Sequence, residues 1–165
     1  MGQYYRPVIG SVDTGDNADI TFYDRSIEGT DEYVMAKLIE HSWWDSPTCN
    51  AVARIIYNNP QRVAWVGDYA EYDDIALHKA TNLEFNPTVA WCINEQCLVK
   101  LPDPGNFTLD GKYFVNHDKG SYIDLNAYKT ASTFHAYWCD EDMTMHPIPL
   151  MTAIGNGRGG GDYQP

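Results

Sequence analysis

The sequence predicts a single α+β domain, built on a mainly antiparallel sheet with two principal helices at about residues 30–41 and 46–58. Its 165 residues suit one hydrophobic core, and a hydrophobic content of 44% supplies the apolar material for that core. Candidate strands precede, separate and follow the helices without regular strand–helix–strand alternation, which favours α+β over α/β. We expect residues 1–154 to form this domain and residues 155–165 to form a glycine-rich C-terminal segment.

Two N-terminal segments have the composition of strands that pair as a hairpin. Residues 3–12 are rich in aromatic and β-branched side chains. Residues 20–25 resume this pattern after turn residues at 13–17. Pro7 lacks a backbone N–H, so it predicts an edge position or a short length for the first strand.

Both principal helices begin with recognisable signals. Thr30 and the acids that follow it predict the start of the first helix, and apolar residues recur at helical spacing as far as about His41. Ser46 suits the N-cap of the second helix, and Pro47 suits its first turn. The turn-forming sequence Asn58-Asn59-Pro60 ends that helix.

The rest of the chain mainly predicts short strands. Asp118-Lys119-Gly120 supplies turn residues between two of them, which indicates a hairpin. Strands are predicted at residues 63–69, 88–93, 113–117 and 121–125, an extended edge-like segment at 146–152, and a weak helix near 73–80.

The charge balance restricts the kinds of partner. Acidic residues outnumber basic ones by 23 to 11, which gives a net charge of −12. This charge repels phosphate backbones, so we expect no direct nucleic-acid binding. It either attracts a basic protein partner or only keeps the protein in solution.

The sequence predicts a cytoplasmic protein. The N-terminal residues lack the apolar core of a signal peptide, and no apolar run is long enough to span a membrane. Arg6 stands where a myristoylation signal requires Ser or Thr, so we expect no membrane attachment.

The cysteines allow two interpretations. Two close pairs of soft ligands could form a tetrahedral zinc site. The first pair is widely spaced and has no glycine-rich knuckle around it, so buried free thiols in a reducing cytosol are the preferred interpretation, and we expect no metal or other cofactor. The alternative zinc ligands are Cys92, Cys97, His135 and Cys139.

The glycine-rich C-terminal segment is a candidate ligand loop. Closely spaced glycines let backbone N–H groups converge on an anion, and an arginine among them adds a planar charged fork. A flexible tail and a close packing contact are the alternatives. The candidate ligand-binding residues are Gly157, Arg158, Gly159, Gly160 and Asp162.

Three residues are candidates for acid–base chemistry. Asp68 follows the 63–69 strand signal, at a position where functional carboxylates and ordinary turn residues both occur. His117 and His146 could act with it as general bases. The sequence carries no established hydrolase, metalloprotease or nucleotide-binding motif, so it favours a protein without enzymatic activity.

Several short stretches resemble a bacteriophage and bacterial protein family without an established activity. Members of that family start with Met-Gly-Gln-Tyr and close with Gly-Asn-Gly-Arg-Gly-Gly-Gly-Asp. The resemblance implies a phage origin and transfers no catalytic residue. The matching stretches are Met1–Tyr5, Glu40–Trp43, Trp65–Ala70, Val115–His117 and His146–Tyr163.

The first functional hypothesis is therefore a phage-encoded accessory protein that inhibits or modulates a host protein, such as a defence protein, in the host cytoplasm. Exposed aromatic residues Trp43, Trp44 and Tyr72 would contact the partner, and the acidic surface would favour a basic one. The alternative is a protein that binds or processes a nucleotide or other phosphate ligand through the glycine-rich loop. A third hypothesis is a structural component of the phage particle.

Overall fold

The computed structural model describes residues 4–11, 20–30, 37, 41–67, 98–117 and 119–154. Strands and helices are interspersed along them, which confirms the α+β class. In chain order the elements are β1 (Tyr5–Ser11), β2 (Ile20–Ile27), α1 (Pro47–Asn58), β3 (Gln61–Gly67), β4 (Val99–Leu101), β5 (Tyr113–Asn116), β6 (Ser121–Asp124), α2 (Leu125–Ser132), β7 (Phe134–Ala136), β8 (Glu141–Met143), α3 (Pro147–Thr152) and β9 (Ala153–Ile154).

The described strands form one main sheet and two separate hairpins. The main sheet has the order β4-β2-β1-β3-β9. β1 pairs antiparallel with β2, as the predicted N-terminal hairpin requires, and also with β3. The outer strands β4 and β9 join their neighbours in parallel. Val8 and Ile9, consecutive in β1, are both buried, so both faces of this central strand are covered.

The edge position predicted for Pro7 is wrong, because β1 lies in the centre of the sheet. Pro7 is opposite Trp65 of β3, whereas pairing with β2 runs from Val8 to Gly10. At Pro7, β1 therefore has a paired neighbour on one side only. The missing N–H of Pro7 can affect at most one of the two ladders of β1.

Helix α1 confirms the predicted helix at 46–58. The Ser46 hydroxyl accepts a hydrogen bond from the Cys49 N–H at 3.4 Å, and Pro47 occupies the first turn. The helix packs against β2 and β4. Its buried Val52 belongs to the same hydrophobic core as Trp65 of β3.

Most of the predicted helix at 30–41 lies outside the described residues. Lys37 and His41 are described, and the His41 N–H donates to the Lys37 carbonyl at 3.2 Å with helical spacing. Lys37 also forms an isolated antiparallel bridge with Tyr4. The predicted turn at 13–17, helix near 73–80, strand at 88–93 and segment at 155–165 are outside the described residues as well.

The predicted hairpin around residues 118–120 is confirmed. β5 and β6 pair antiparallel with Phe114 opposite Ile123. Asp124, the last residue of β6, accepts hydrogen bonds from the N–H groups of Asn126 and Ala127 and thereby caps α2. Helix α2 and the hairpin of β7 and β8 that follows it were not predicted.

The extended segment predicted at 146–152 is instead the short helix α3. Its prolines, Pro147 and Pro149, fall in the first turn, where backbone N–H groups have no acceptor within a helix. Proline is therefore compatible with this position, although the same residues suggest an extended chain when they are read alone.

Candidate functional site

Many of the predicted site residues lie outside the described part of the chain. They include one candidate acid, one candidate partner-binding aromatic residue, half of the alternative zinc set and the whole glycine-rich loop. These residues are Asp68, Tyr72, Cys92, Cys97, Gly157, Arg158, Gly159, Gly160 and Asp162.

The tryptophans predicted to contact a partner are half-buried. Trp43 forms an isolated bridge with Met145, which ties residue 43 to the C-terminal part of the chain. The Trp44 ring stacks on Tyr128 with centroids 6.4 Å apart, and Lys129 Nζ lies 5.0 Å from the Trp44 ring centroid. Intramolecular contacts thus cover part of the Trp44 surface that was expected to face a partner.

Of the candidate bases, His117 is exposed in the turn between β5 and β6. His146 is completely buried, with 0% of its surface exposed. Its Nδ1 accepts a hydrogen bond from the Ile148 N–H at 3.3 Å, so this side chain caps α3. A side chain with no exposed surface cannot contact a solute. In this conformation His146 therefore has a structural role.

Burial also determines the protonation of His146. It lowers the pKa of the imidazole from 6.5 to about 3, because the charged form would lose its hydration. Since Nδ1 accepts a hydrogen bond, the neutral ring carries its proton on Nε2. Nε2 has no hydrogen-bond partner among the described residues. Without a partner beyond the described residues, this buried N–H donor costs on the order of 1–3 kcal/mol of folding free energy.

His146 belongs to a cluster of buried polar residues, here called the polar junction, where residues 42–50 meet residues 144–146. The His146 N–H donates to the Ser42 carbonyl at 2.6 Å, and the Trp44 N–H donates to the Thr144 carbonyl at 2.9 Å. These bonds join two segments that are distant in sequence. The buried members of the junction are Ser42, Ser46, Thr48, Cys49, Asn50, Thr144 and His146.

The junction contains a thiol, but an unreactive one. Cys49 is free and buried, and burial raises the pKa of its thiol to about 12, although hydrogen bonds with Ser46 and Ser42 act in the opposite direction. The thiolate is the nucleophilic form, so this cysteine is not suited to covalent chemistry. The expected buried free thiol is thus confirmed at Cys49. The expectation of burial is wrong for Cys139, which is free and exposed.

Two members of the alternative zinc set, His135 and Cys139, are described, and both have other neighbours. Both ring nitrogens of His135 lie near carboxylates: Nε2 is 3.3 Å from Asp140 Oδ1, and Nδ1 is 3.3 Å from Asp142 Oδ1. The Cys139 thiol points to the Ala136 carbonyl and to Met143 Sδ. Within the described residues, no group of three or more His, Cys, Asp and Glu residues could hold a metal ion.

The hairpin of β7 and β8, residues 134–143 and here called the aromatic hairpin, exposes large rings. Tyr137 has 89% of its surface exposed and Trp138 has 71%. Phe134 is also exposed, and its ring centroid lies 6.1 Å from that of Trp138. The Tyr137 ring meets the His135 ring edge-on at 5.0 Å. Exposed rings are thus present on the turn and on the strand that leads into it.

The turn of the aromatic hairpin is defined by its backbone. The N–H groups of Cys139 and Asp140 both donate to the Ala136 carbonyl, at 3.1 and 2.9 Å. Asp140 closes the turn at φ 56°, in the left-handed region, which aspartate tolerates better than most residues. Sequence reasoning missed this hairpin because the turn contains neither glycine nor an Asn-Gly pair. Alternation in Phe134-His135-Ala136, followed by Asp140, is the weak signal that could have indicated it.

The base of the hairpin is fastened to the polar junction. Thr133 and Thr144, which flank the hairpin, share a hydrogen bond between their hydroxyl oxygens at 2.6 Å. Thr144 is buried, and its carbonyl accepts from Trp44. The exposed turn therefore extends from an anchored base.

The aromatic hairpin also carries strong negative charge. Asp140, Glu141 and Asp142 are consecutive and exposed, and residues 134–143 contain neither Lys nor Arg. The Asp140 side chain is 95% exposed and that of Asp142 is 75% exposed. The arrangement can thus offer apolar ring surface and hydrogen-bond-accepting carboxylates to the same partner.

Comparison of the chain with protein-family models, with curated proteins and with solved structures gave no match. In the described part of the chain, no helix combines the length and the apolar character needed to cross a membrane.

Proposed function

We propose that this chain acts by binding another protein through the aromatic hairpin. The observation that carries the proposal is the exposure of Tyr137 and Trp138 on one turn. Tryptophan and tyrosine dominate the binding energy of protein interfaces, because each buries a large ring and also offers a polar group. Removing these rings from water would be a direct source of binding energy.

The anchored base supports this role. A rigid turn loses little conformational entropy when a partner binds, so more of the interaction energy appears as affinity. The hydrogen bond between Thr133 and Thr144 and the bond from Trp44 to Thr144 hold the two ends of the hairpin against the body of the protein.

The biological role in this proposal is that of a phage-encoded accessory protein that inhibits or modulates a host protein, such as a component of host defence. The resemblance to the phage and bacterial family supports the origin, and the net charge of −12 supports a basic partner in the host cytoplasm. The nucleotide-binding alternative depends on residues 157–162, which lie outside the described part of the chain.

The test compares two double variants that each remove two exposed rings. Tyr137→Ala/Trp138→Ala changes the aromatic hairpin. Tyr113→Ala/Tyr122→Ala is the matched control, because these rings are exposed on the hairpin of β5 and β6 and contact each other at 5.7 Å. A protein captured from a bacterial lysate by the unchanged chain is purified, and its affinity for each variant is measured by calorimetry.

We expect the first variant to weaken binding at least thirtyfold, which corresponds to the roughly 2 kcal/mol of an interface hot spot. The control is expected to bind as the unchanged chain does. Equal affinity for the Tyr137/Trp138 variant, at unchanged thermal stability, contradicts a binding role for the aromatic hairpin.

A further inference from the structure

We propose that the aromatic hairpin recognises an arginine side chain on its partner. This inference rests on the proposed function and names the chemistry that the hairpin selects. It follows from an arrangement that the molecule already makes within itself, and from the absence of a Lys or Arg over the rings of the hairpin among the described residues.

The internal arrangement consists of Trp44, Lys129 and Asp110. Lys129 Nζ lies 5.0 Å from the Trp44 ring centroid and 3.3 Å from Asp110 Oδ1. A ring face and a carboxylate thus hold one cation together, through the negative potential over the ring and through an ion pair. The same chain thus contains an example of an aromatic ring and a carboxylate that share one cation.

At a second place in the molecule, one cation lies over two aromatic rings. Lys112 Nζ lies 5.4 Å from the Tyr57 ring centroid and 4.9 Å from that of Phe107. Among the described residues, a lysine thus lies over aromatic rings at two separate places, and one of these rings, Tyr57, is exposed.

The aromatic hairpin has the same two kinds of group, and no described Lys or Arg supplies a cation to them. Phe134, Tyr137 and Trp138 supply ring faces, and the carboxylates of residues 140–142 follow directly. No Lys or Arg of the described residues lies over these three rings, in contrast to Trp44, Tyr57 and Phe107. A cation from a partner would complete the arrangement, and it would also be attracted by the charge of −12.

The positions of the carboxylates favour arginine over lysine. His135 lies between Asp140 and Asp142, with one ring nitrogen 3.3 Å from an oxygen of each. Each carboxylate has a second oxygen, and both side chains are largely exposed. A guanidinium presents several N–H donors in one plane and can stack on a ring while it donates to carboxylates, whereas an ammonium acts as a point charge.

The experiment uses three synthetic peptides of the sequence X-Gly-Gly-X-Gly-Gly-X, in which X is arginine, lysine or the uncharged arginine analogue citrulline. Binding to the ¹⁵N-labelled full chain is followed by NMR through the indole N–H of Trp138, which is assigned by its loss in Trp138→Phe. The hairpin variant is Asp140→Asn/Asp142→Asn. The charge-matched control is Glu28→Gln/Asp45→Asn, which changes two exposed acids elsewhere.

We expect the arginine peptide to shift the Trp138 signal and to bind about fivefold more weakly to the Asp140/Asp142 variant, as exposed ion pairs allow. The Glu28/Asp45 variant is expected to keep the unchanged affinity. The lysine peptide is expected to bind several-fold more weakly than the arginine peptide, and citrulline is expected to cause no shift. Equal shifts by the arginine and citrulline peptides overturn the proposal, as does equal weakening in both acid variants.

The outcomes also separate this inference from the proposed function. If the Tyr137/Trp138 variant loses the captured partner while the arginine peptide leaves Trp138 unshifted, the binding role stands and the arginine assignment is wrong. If that variant keeps the partner while the peptide shifts Trp138, the hairpin recognises arginine but is not the site that binds the captured protein.

Discussion

The polar junction and the aromatic hairpin depart from the usual distribution of side chains in opposite directions. The junction buries polar residues such as His146 and Thr144, whereas the hairpin, which ends one residue before Thr144, exposes Tyr137 and Trp138. Buried polar groups must find partners inside the protein, and exposed rings gain from partners outside it. This difference agrees with a structural role for the junction and with the recognition that we propose for the hairpin.

This division has a measurable consequence. Substitutions in the junction should change the free energy of unfolding, and substitutions of the exposed rings should change binding while the fold keeps its stability. The two regions are connected through Thr144, so the junction also sets the position of the hairpin.

The largest effect is expected from pH acting on His146. Its pKa is about 3 in the folded protein and 6.5 in the unfolded chain, so the unfolded state binds the proton more readily. The stabilising contribution is therefore complete above pH 6.5 and is lost as the pH falls toward 3. Between pH 7 and pH 4 the loss from this residue is about 3 kcal/mol. Urea denaturation at a series of pH values measures it.

Carboxylates also titrate in this range, so the informative quantity is the difference between the unchanged protein and His146→Asn. Asparagine can cap α3 without titrating. We expect the difference in unfolding free energy between the two proteins to change with pH in the stated direction. A difference independent of pH for His146→Asn contradicts the assigned burial.

The second effect concerns the exposed ring of Trp138. Trp138→Ala is expected to weaken partner binding by about 2 kcal/mol and to change the free energy of unfolding by less than about 0.5 kcal/mol. The reason is that Trp138 is 71% exposed and makes one described ring contact, with Phe134. Calorimetry with the purified partner and urea denaturation measure the two quantities on the same sample. A large loss of stability would break the separation between the two regions.

The third effect is the loss of a helix cap within the junction. Ser46→Ala removes the hydroxyl that accepts from the Cys49 N–H, which is expected to cost about 1 kcal/mol of stability. Ser46→Thr, which keeps a hydroxyl, serves as the control and should recover most of that loss. Partner affinity should stay unchanged in Ser46→Ala when it is measured well below the melting temperature. A selective loss of binding would show that the junction acts beyond the fold.

The sequence predicted the elements whose signals are local. Ser46-Pro47 carries the start of α1 in adjacent residues, and Asp118-Lys119-Gly120 carries the turn between β5 and β6. The central place of Pro7 was not predictable in the same way, because it depends on pairing with β3, far along the chain. Local chemistry indicates where an element begins, but distant pairing decides where it lies.

The candidate sites show the same limit. His146 was predicted as a candidate base, but it is buried and donates its backbone N–H to the carbonyl of Ser42, which is about a hundred positions away. The aromatic hairpin was missed because Asp140 adopts a left-handed conformation in a turn without glycine. The predicted sites at Asp68 and in residues 157–162 stay predictions, since they lie outside the described residues.

The smallest effect concerns the internal cation site that motivates the arginine proposal. The pKa of the Asp110 carboxyl is lowered, first by a hydrogen bond from Thr108 and then by Lys129. Lys129→Met should raise this pKa only part of the way toward 3.8, because the Thr108 contact persists. Carbon-detected NMR titration of Asp110 measures the change, and Thr108→Val, which removes the largest single contribution, is the control expected to raise the pKa as well. If Lys129→Met has no effect on Asp110, the ring and the carboxylate do not share that cation in solution, and the internal precedent for the aromatic hairpin is lost.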